Sequence, residues 1–97
     1  MTEDDEQVRA RVHVTGRVQG VAYRANTEDT ANARGVNGWV RNTDDGRVEA
    51  VFEGDPETVE GMIEWCHTGS PRANVEDVTV EYEEPRNADG FHVRWSG

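Results

Sequence analysis

Val8, Ala10, Val12 and Val14 alternate with Arg9, Arg11, His13 and Thr15. An apolar residue at every second position predicts a strand with one buried face, and Gly16 stops it. From Ala22 to Arg34 the chain carries neither Gly nor Pro; Tyr23, Thr27 and Ala31 fall on one helical stripe, and Gly35 is placed to end the helix. Two short strands follow, around WVRN and RVEAVFE, joined by the turn-forming run Thr43-Asp44-Asp45-Gly46, with Val48, Ala50 and Phe52 on one face. Asp55-Pro56-Glu57 opens a second helix with a capping carboxylate, a ring that suits the first turn and a further carboxylate facing the dipole. Val59, Met62, Ile63 and Cys66 give this helix one buried stripe before Gly69 and Pro71 end it. Val78, Val80 and Tyr82 mark another strand. After a turn from Pro85 to Gly90, Phe91, Val93 and Trp95 mark a last short one.

The order βαββαβ with a terminal extra strand predicts an α+β fold, a split-βαβ, ferredoxin-like sandwich in which an antiparallel sheet carries two helices on one face. Residues 8–97 form a single domain in this reading, preceded by an acidic disordered tail at 1–7. Composition alone argues otherwise. Fourteen Val, two Phe, one Ile and no Leu in 97 residues fall below the roughly 20% at which a highly charged chain is expected not to fold. Patterning overrides that rule, because the few apolar residues are arranged on faces, and Trp39, Trp65 and Trp95 add bulky apolar surface that the four-residue count ignores.

Charge narrows the function classes. Twenty acidic against ten basic side chains leave a net charge of -10, and all ten basic residues are Arg, with no Lys. Such a surface argues against nucleic-acid partners, which need a basic stripe. It fits a halophilic protein, whose carboxylates keep the surface hydrated while salt screens their repulsion: at 1 M the Debye length is about 3 Å. No apolar run is long enough to span a membrane, and MTEDDEQ lacks the basic start of a signal peptide, so a cytoplasmic protein with no membrane partner, monomeric, is expected. Cys66, the single cysteine, excludes an intrachain disulfide and a multi-Cys zinc site.

Candidate chemistry concentrates in GRVQGVAYR, Gly16 to Arg24. A strand ending in a Gly-containing loop that feeds a helix directs successive backbone N–H groups to one spot, which favours an anion. Gly16 and Gly20 permit the backbone forms this requires, and the Gln19 amide is suited to brace the loop. Arg24, in the first helical turn, opposes the dipole and so either awaits an anion or pairs with Glu28 one turn on. Asn42, at a strand end, either closes an Asx-turn or holds a water; it shares a face with Val40, while Trp39 and Arg41 point the other way. Arg17, Arg24 and Arg41 form the expected local positive patch. His13, His67 and His92 have no metal-ligand spacing and read as structural or surface groups, Cys66 reads as core, and the carboxylates read mostly as solvated surface.

GRVQGVAYR, GWVRN at 38–42, DGRVEAVFEG at 45–54 and WCHTGSPRANVEDV at 65–78 together resemble the acylphosphatase family from Val8 to Trp95. The resemblance implies the same βαββαβ fold and hydrolysis of an acyl phosphate to carboxylate and inorganic phosphate, with no metal or other cofactor. It also implies that Gly16, Arg17, Val18, Gln19, Gly20 and Val21 form the phosphate cradle, that Arg24 binds phosphate and that Asn42 positions the attacking water. Where the family usually has Phe, this chain has Tyr23. Three other readings carry weight against an enzyme of this kind. One is a non-catalytic phosphate or acyl-phosphate binding or interaction module. Another is the acylphosphatase-like domain of a larger carbamoyl-transfer maturation factor, which the absence of a second domain in the sequence disfavours. The last is an RNA-binding domain of the same fold, which the charge disfavours.

Overall fold

The alternation of the first segment is realised as β1 (Val8–Arg17), whose Ala10, Val12 and Val14 are fully buried. A computed structural model describes residues 6–95; most of the expected acidic tail, residues 1–5, lies outside the described residues. After β1 come α1 (Tyr23–Arg34), β2 (Asn37–Asn42), β3 (Val48–Gly54), α2 (Pro56–Cys66), β4 (Asn74–Glu83) and β5 (Phe91–Val93). The sheet order is β4-β1-β3-β2-β5. β1 pairs antiparallel with β3 and β4, and β2 antiparallel with β3, which gives the expected ferredoxin-like arrangement. β5 corrects one detail, because it joins the edge parallel to β2 and makes the sheet mixed. Its direction follows from the connection: residues 84–90 carry the chain from the β4 edge to the opposite edge.

Both helices lie on the face presented by Ala10, Val12, Val14, Val40, Val48, Ala50 and Phe52, and close the core with Tyr23, Ala31, Val59, Met62 and Cys66. α2 begins as its sequence dictates, with Asp55 Oδ1 accepting from the Thr58 N–H at 3.0 Å and Pro56 in the first turn. α1 ends at Gly35 in the left-handed region, where its N–H returns to the Asn32 carbonyl. Trp95 departs from the expected packing: it lies beyond β5 and is 77% exposed.

The other face of the sheet is ionic rather than apolar. Arg9 donates to Glu53 and Glu83 at 2.9 Å each, Arg11 to Glu83 at 2.7 Å and Glu49 at 2.6 Å, and Arg41 to Glu49 at 2.7 Å. Glu49 and Glu53 are buried, against the reading of the carboxylates as mostly solvated surface. Burial opposes their ionisation, but the arginines beside Glu49, and the backbone N–H groups with Arg9 around Glu53, hold both below the usual carboxylate range. Arg41 therefore faces away from Val40 and Asn42 and is committed to Glu49, which removes it from the expected positive patch.

Candidate active site

The strand-to-helix segment departs from regular structure at Gly16. There β1 shifts register against β4, and the Gly16 φ of 120° accompanies so close an approach that a Cβ would sit 2.3 Å from the Asn74 carbonyl oxygen. Arg17 ends the strand with an exposed side chain. Val18 and Val21 bury their side chains and anchor the loop to the core, so the turn between them is backbone presented to solvent. Gly20 and Ala22 both take positive φ, 74° and 62°. Alternation of hand along a loop is the form that gathers consecutive N–H groups into a concavity. Among the described residues, no acceptor takes the N–H groups of Gln19, Gly20, Val21 or Ala22, and the first helical bond runs from the Asn26 N–H to the Ala22 carbonyl at 3.0 Å.

Two side chains fix this loop. Gln19 Nε2 donates to the carbonyls of Thr43 at 3.0 Å and Arg47 at 2.8 Å, tying the loop to the β2–β3 turn that follows Asn42. Its bracing role was legible in the sequence. Ser70 was not: buried after α2, its hydroxyl donates to the Val21 carbonyl at 2.7 Å. Nothing in the spacing of a single Ser marks that contact. Tyr23 ties the helices together, its hydroxyl donating to the Cys66 carbonyl at 2.7 Å. Gly69 makes room for that ring, since a Cβ there would meet Tyr23 Cε2 at 2.2 Å.

Loop, helix start and sheet end form a cleft of about 460 Å³ whose lining includes Val18, Gly20, Tyr23, Arg24, Asn42 and Trp95, together with Glu28 and His92. Of the residues singled out from sequence, Val18, Gly20, Arg24 and Asn42 line it. Gly16, Arg17, Gln19 and Val21 shape or flank the loop instead. The β2–β3 turn is closed by Thr43, whose hydroxyl accepts from the Arg47 N–H at 3.0 Å, and Asn42 lines the cleft with its carboxamide oxygen buried. His92, read as a surface group, is exposed yet borders the cleft, its Nε2 3.1 Å from the Asp89 carbonyl.

Arg24 forms no ion pair among the described residues, so the alternative of pairing with Glu28 is not realised. Its guanidinium instead lies over the Trp95 ring, Cζ 4.3 Å from the centroid. Neither buried acid nearby offers base or nucleophile chemistry at neutral pH: burial pushes the Cys66 thiol up to about 12 and raises the Tyr23 phenol further. Among the described residues there is also no cluster of three or more His, Cys, Asp and Glu able to hold a metal. What the cleft gathers is one arginine, one carboxamide and a run of open N–H groups, beside the side chains of Glu28 and His92.

Sequence and fold are both similar to those of known proteins. The acylphosphatase family model matches residues 10–93. An acylphosphatase of Haloarcula marismortui is 68% identical over 87 residues, covering 90% of this chain and 96% of that protein. One from Natronomonas pharaonis is 63% identical over 89 residues, 92% of this chain and 97% of that one. Among solved structures, an acylphosphatase from Coxiella burnetii superposes with a TM-score of 0.90 at 33% identity, over 97% of this chain and 100% of its own. A match of this extent, over about nine-tenths of the chain, leaves one family: the chain belongs to the acylphosphatases, hydrolases of acyl phosphates.

Proposed function

We propose that the backbone N–H groups between Gly16 and Ala22, with Arg24, hold the phosphoryl oxygens of an acyl phosphate, and that Asn42 orients the attacking water. The observation that carries this reading is Arg24, a cation placed against the dipole at the start of α1, unpaired with any described carboxylate and in one cleft with Asn42 and the loop. That placement is unfavourable until an anion arrives. Phosphoryl transfer to water passes through a loose transition state with charge on the equatorial oxygens, so donors fixed around those oxygens and an aligned water suffice.

Water oxygen bonds to phosphorus as the bond from phosphorus to the acyl oxygen breaks, and the electron pair leaves with the carboxylate. Its conjugate acid titrates near about 4, so it departs unprotonated and needs neither a general acid nor a metal. The water's proton passes to a phosphoryl oxygen of the substrate. Supporting salt adaptation are the net charge of -10, the absence of Lys and Leu, and relatives in halophilic archaea; the reading is of a monomeric cytoplasmic enzyme working in concentrated salt. The test is phosphate release from acetyl and benzoyl phosphate, with a chelator, in multimolar salt. Turnover should persist with the chelator and vanish in Arg24→Ala together with inhibition by inorganic phosphate. Loss on chelation would overturn metal independence, and an active Arg24→Ala would overturn the role of Arg24.

A further inference from the structure

Among the described residues, Trp95 and Tyr82 are the two large hydrophobic side chains left exposed, and Trp95 is the more exposed, at 77%. An indole that open contributes little to the core, yet it lines the cleft and carries the guanidinium of Arg24 on its face at 4.3 Å. Left alone, an arginine at a helix start has four side-chain torsions whose rotamer freedom is lost when it engages an anion. A carboxylate partner would order it, but would also cancel its charge and compete with phosphate. An aromatic face orders the guanidinium plane while its N–H edge stays free to donate.

Concentrated salt sharpens the difference. Ion pairs at a surface weaken as the Debye length falls to about 3 Å at 1 M. A guanidinium seated over a ring also draws on dispersion and on the removal of apolar surface from water, which salt does not screen. We propose that Trp95 is the positioning residue for Arg24, its ring setting the plane of the guanidinium so that the donor edge meets the phosphoryl group. The inference rests on the reading of Arg24 as the phosphate-binding arginine.

Because Trp95 acts through Arg24 on phosphate, its removal should weaken phosphate and every acyl phosphate alike. In multimolar salt, Trp95→Ala should raise KM for acetyl and benzoyl phosphate, and the inhibition constant of inorganic phosphate, by about tenfold. kcat should stay within about twofold, the sign of binding shared by ground and transition states. Trp95→Phe should recover most of the affinity. Phosphate should also shift the tryptophan fluorescence of the native protein but not of Trp95→Phe, which keeps Trp39 and Trp65. Unchanged KM and inhibition in Trp95→Ala beside an inactive Arg24→Ala would overturn this inference alone, whereas an active Arg24→Ala would overturn the reading beneath it. A loss confined to benzoyl phosphate would also overturn it, because it would assign the ring to the acyl group.

Discussion

Asn42 illustrates how two roles for one side chain are separated by what surrounds it. Thr43, not Asn42, closes the following turn, and Gln19 reaches across from the loop between β1 and α1 to the Thr43 and Arg47 carbonyls, so Asn42 is held at a fixed offset from that loop. The proposed role of its carboxamide, orienting water rather than binding phosphate, carries a specific kinetic signature. Asn42→Ala should lower kcat by about a hundredfold, the scale of one lost transition-state donor, and leave inhibition by inorganic phosphate nearly unchanged. An equal loss of phosphate affinity would sink the assignment. Period-two alternation already separated Asn42 from Arg41, yet Arg41 was still expected in the positive patch; its commitment to Glu49 on the far face shows that alternation outranks proximity in sequence. Trp95 and Ser70 were illegible for another reason. Their contacts join segments far apart in the chain, Ser70 to Val21 and Trp95 to Arg24, and no local pattern encodes a partner across that separation.

At the scale of elements, the buried faces were readable because they alternate, while edges and crossings were not. β4 starts at Asn74, four residues before Val78, and its first apolar residue, Val75, falls out of the period of two because the register shifts between Thr15 and Gly16. Its acidic residues suit an edge that should not pair with another chain. The crossing from β4 to β5 is held by one buried carboxylate: Glu53 accepts from the N–H groups of Asn87 at 2.7 Å, Arg86 at 3.1 Å and Ala88 at 3.3 Å, and from Arg9 Nη1 at 2.9 Å. This clamp aims β5, and with it Trp95, at the cleft. Glu53→Gln keeps the shape but removes the charge, leaving Arg9 without its buried partner and three N–H groups sharing one carbonyl. Urea unfolding in multimolar salt should show a loss of about 3 kcal/mol, and the amides of Arg86 to Ala88 should exchange faster with deuterium. A loss well under 1 kcal/mol would mean that the crossing is held by packing instead.

For the whole molecule, the composition that argued for disorder describes a thin valine core under an acidic shell, with its buried charges organised on one sheet face. Two electrostatic effects then act in opposite directions. The Arg9–Glu53 contact at 2.9 Å is direct and buried, so salt removes little of its strength. Repulsion among the remaining exposed carboxylates is long-ranged in dilute buffer, where the Debye length at 0.01 M is about 30 Å, and collapses in concentrated salt. Stability should therefore rise with added potassium chloride, each gain of 1 kcal/mol raising Tm by roughly 4–8 °C for a chain of this size. Acid reverses it. Side-chain hydrogen bonds from Arg11 and then Arg9 lower Glu83 from 4.5 to about 2, and Glu49 and Glu53 shift in the same direction. Carboxylates with folded values below their unfolded ones contribute fully above the unfolded value and lose that contribution as pH falls through the folded one. Unfolding followed by circular dichroism in multimolar salt should thus show a plateau above the ordinary carboxylate range and a decline from pH 4.5 towards about 2. Glu83→Gln should flatten that decline and lower the plateau. A midpoint indifferent to salt at neutral pH, or a decline unchanged in Glu83→Gln, would show that the arginine–glutamate face does not set the acid limit of the fold.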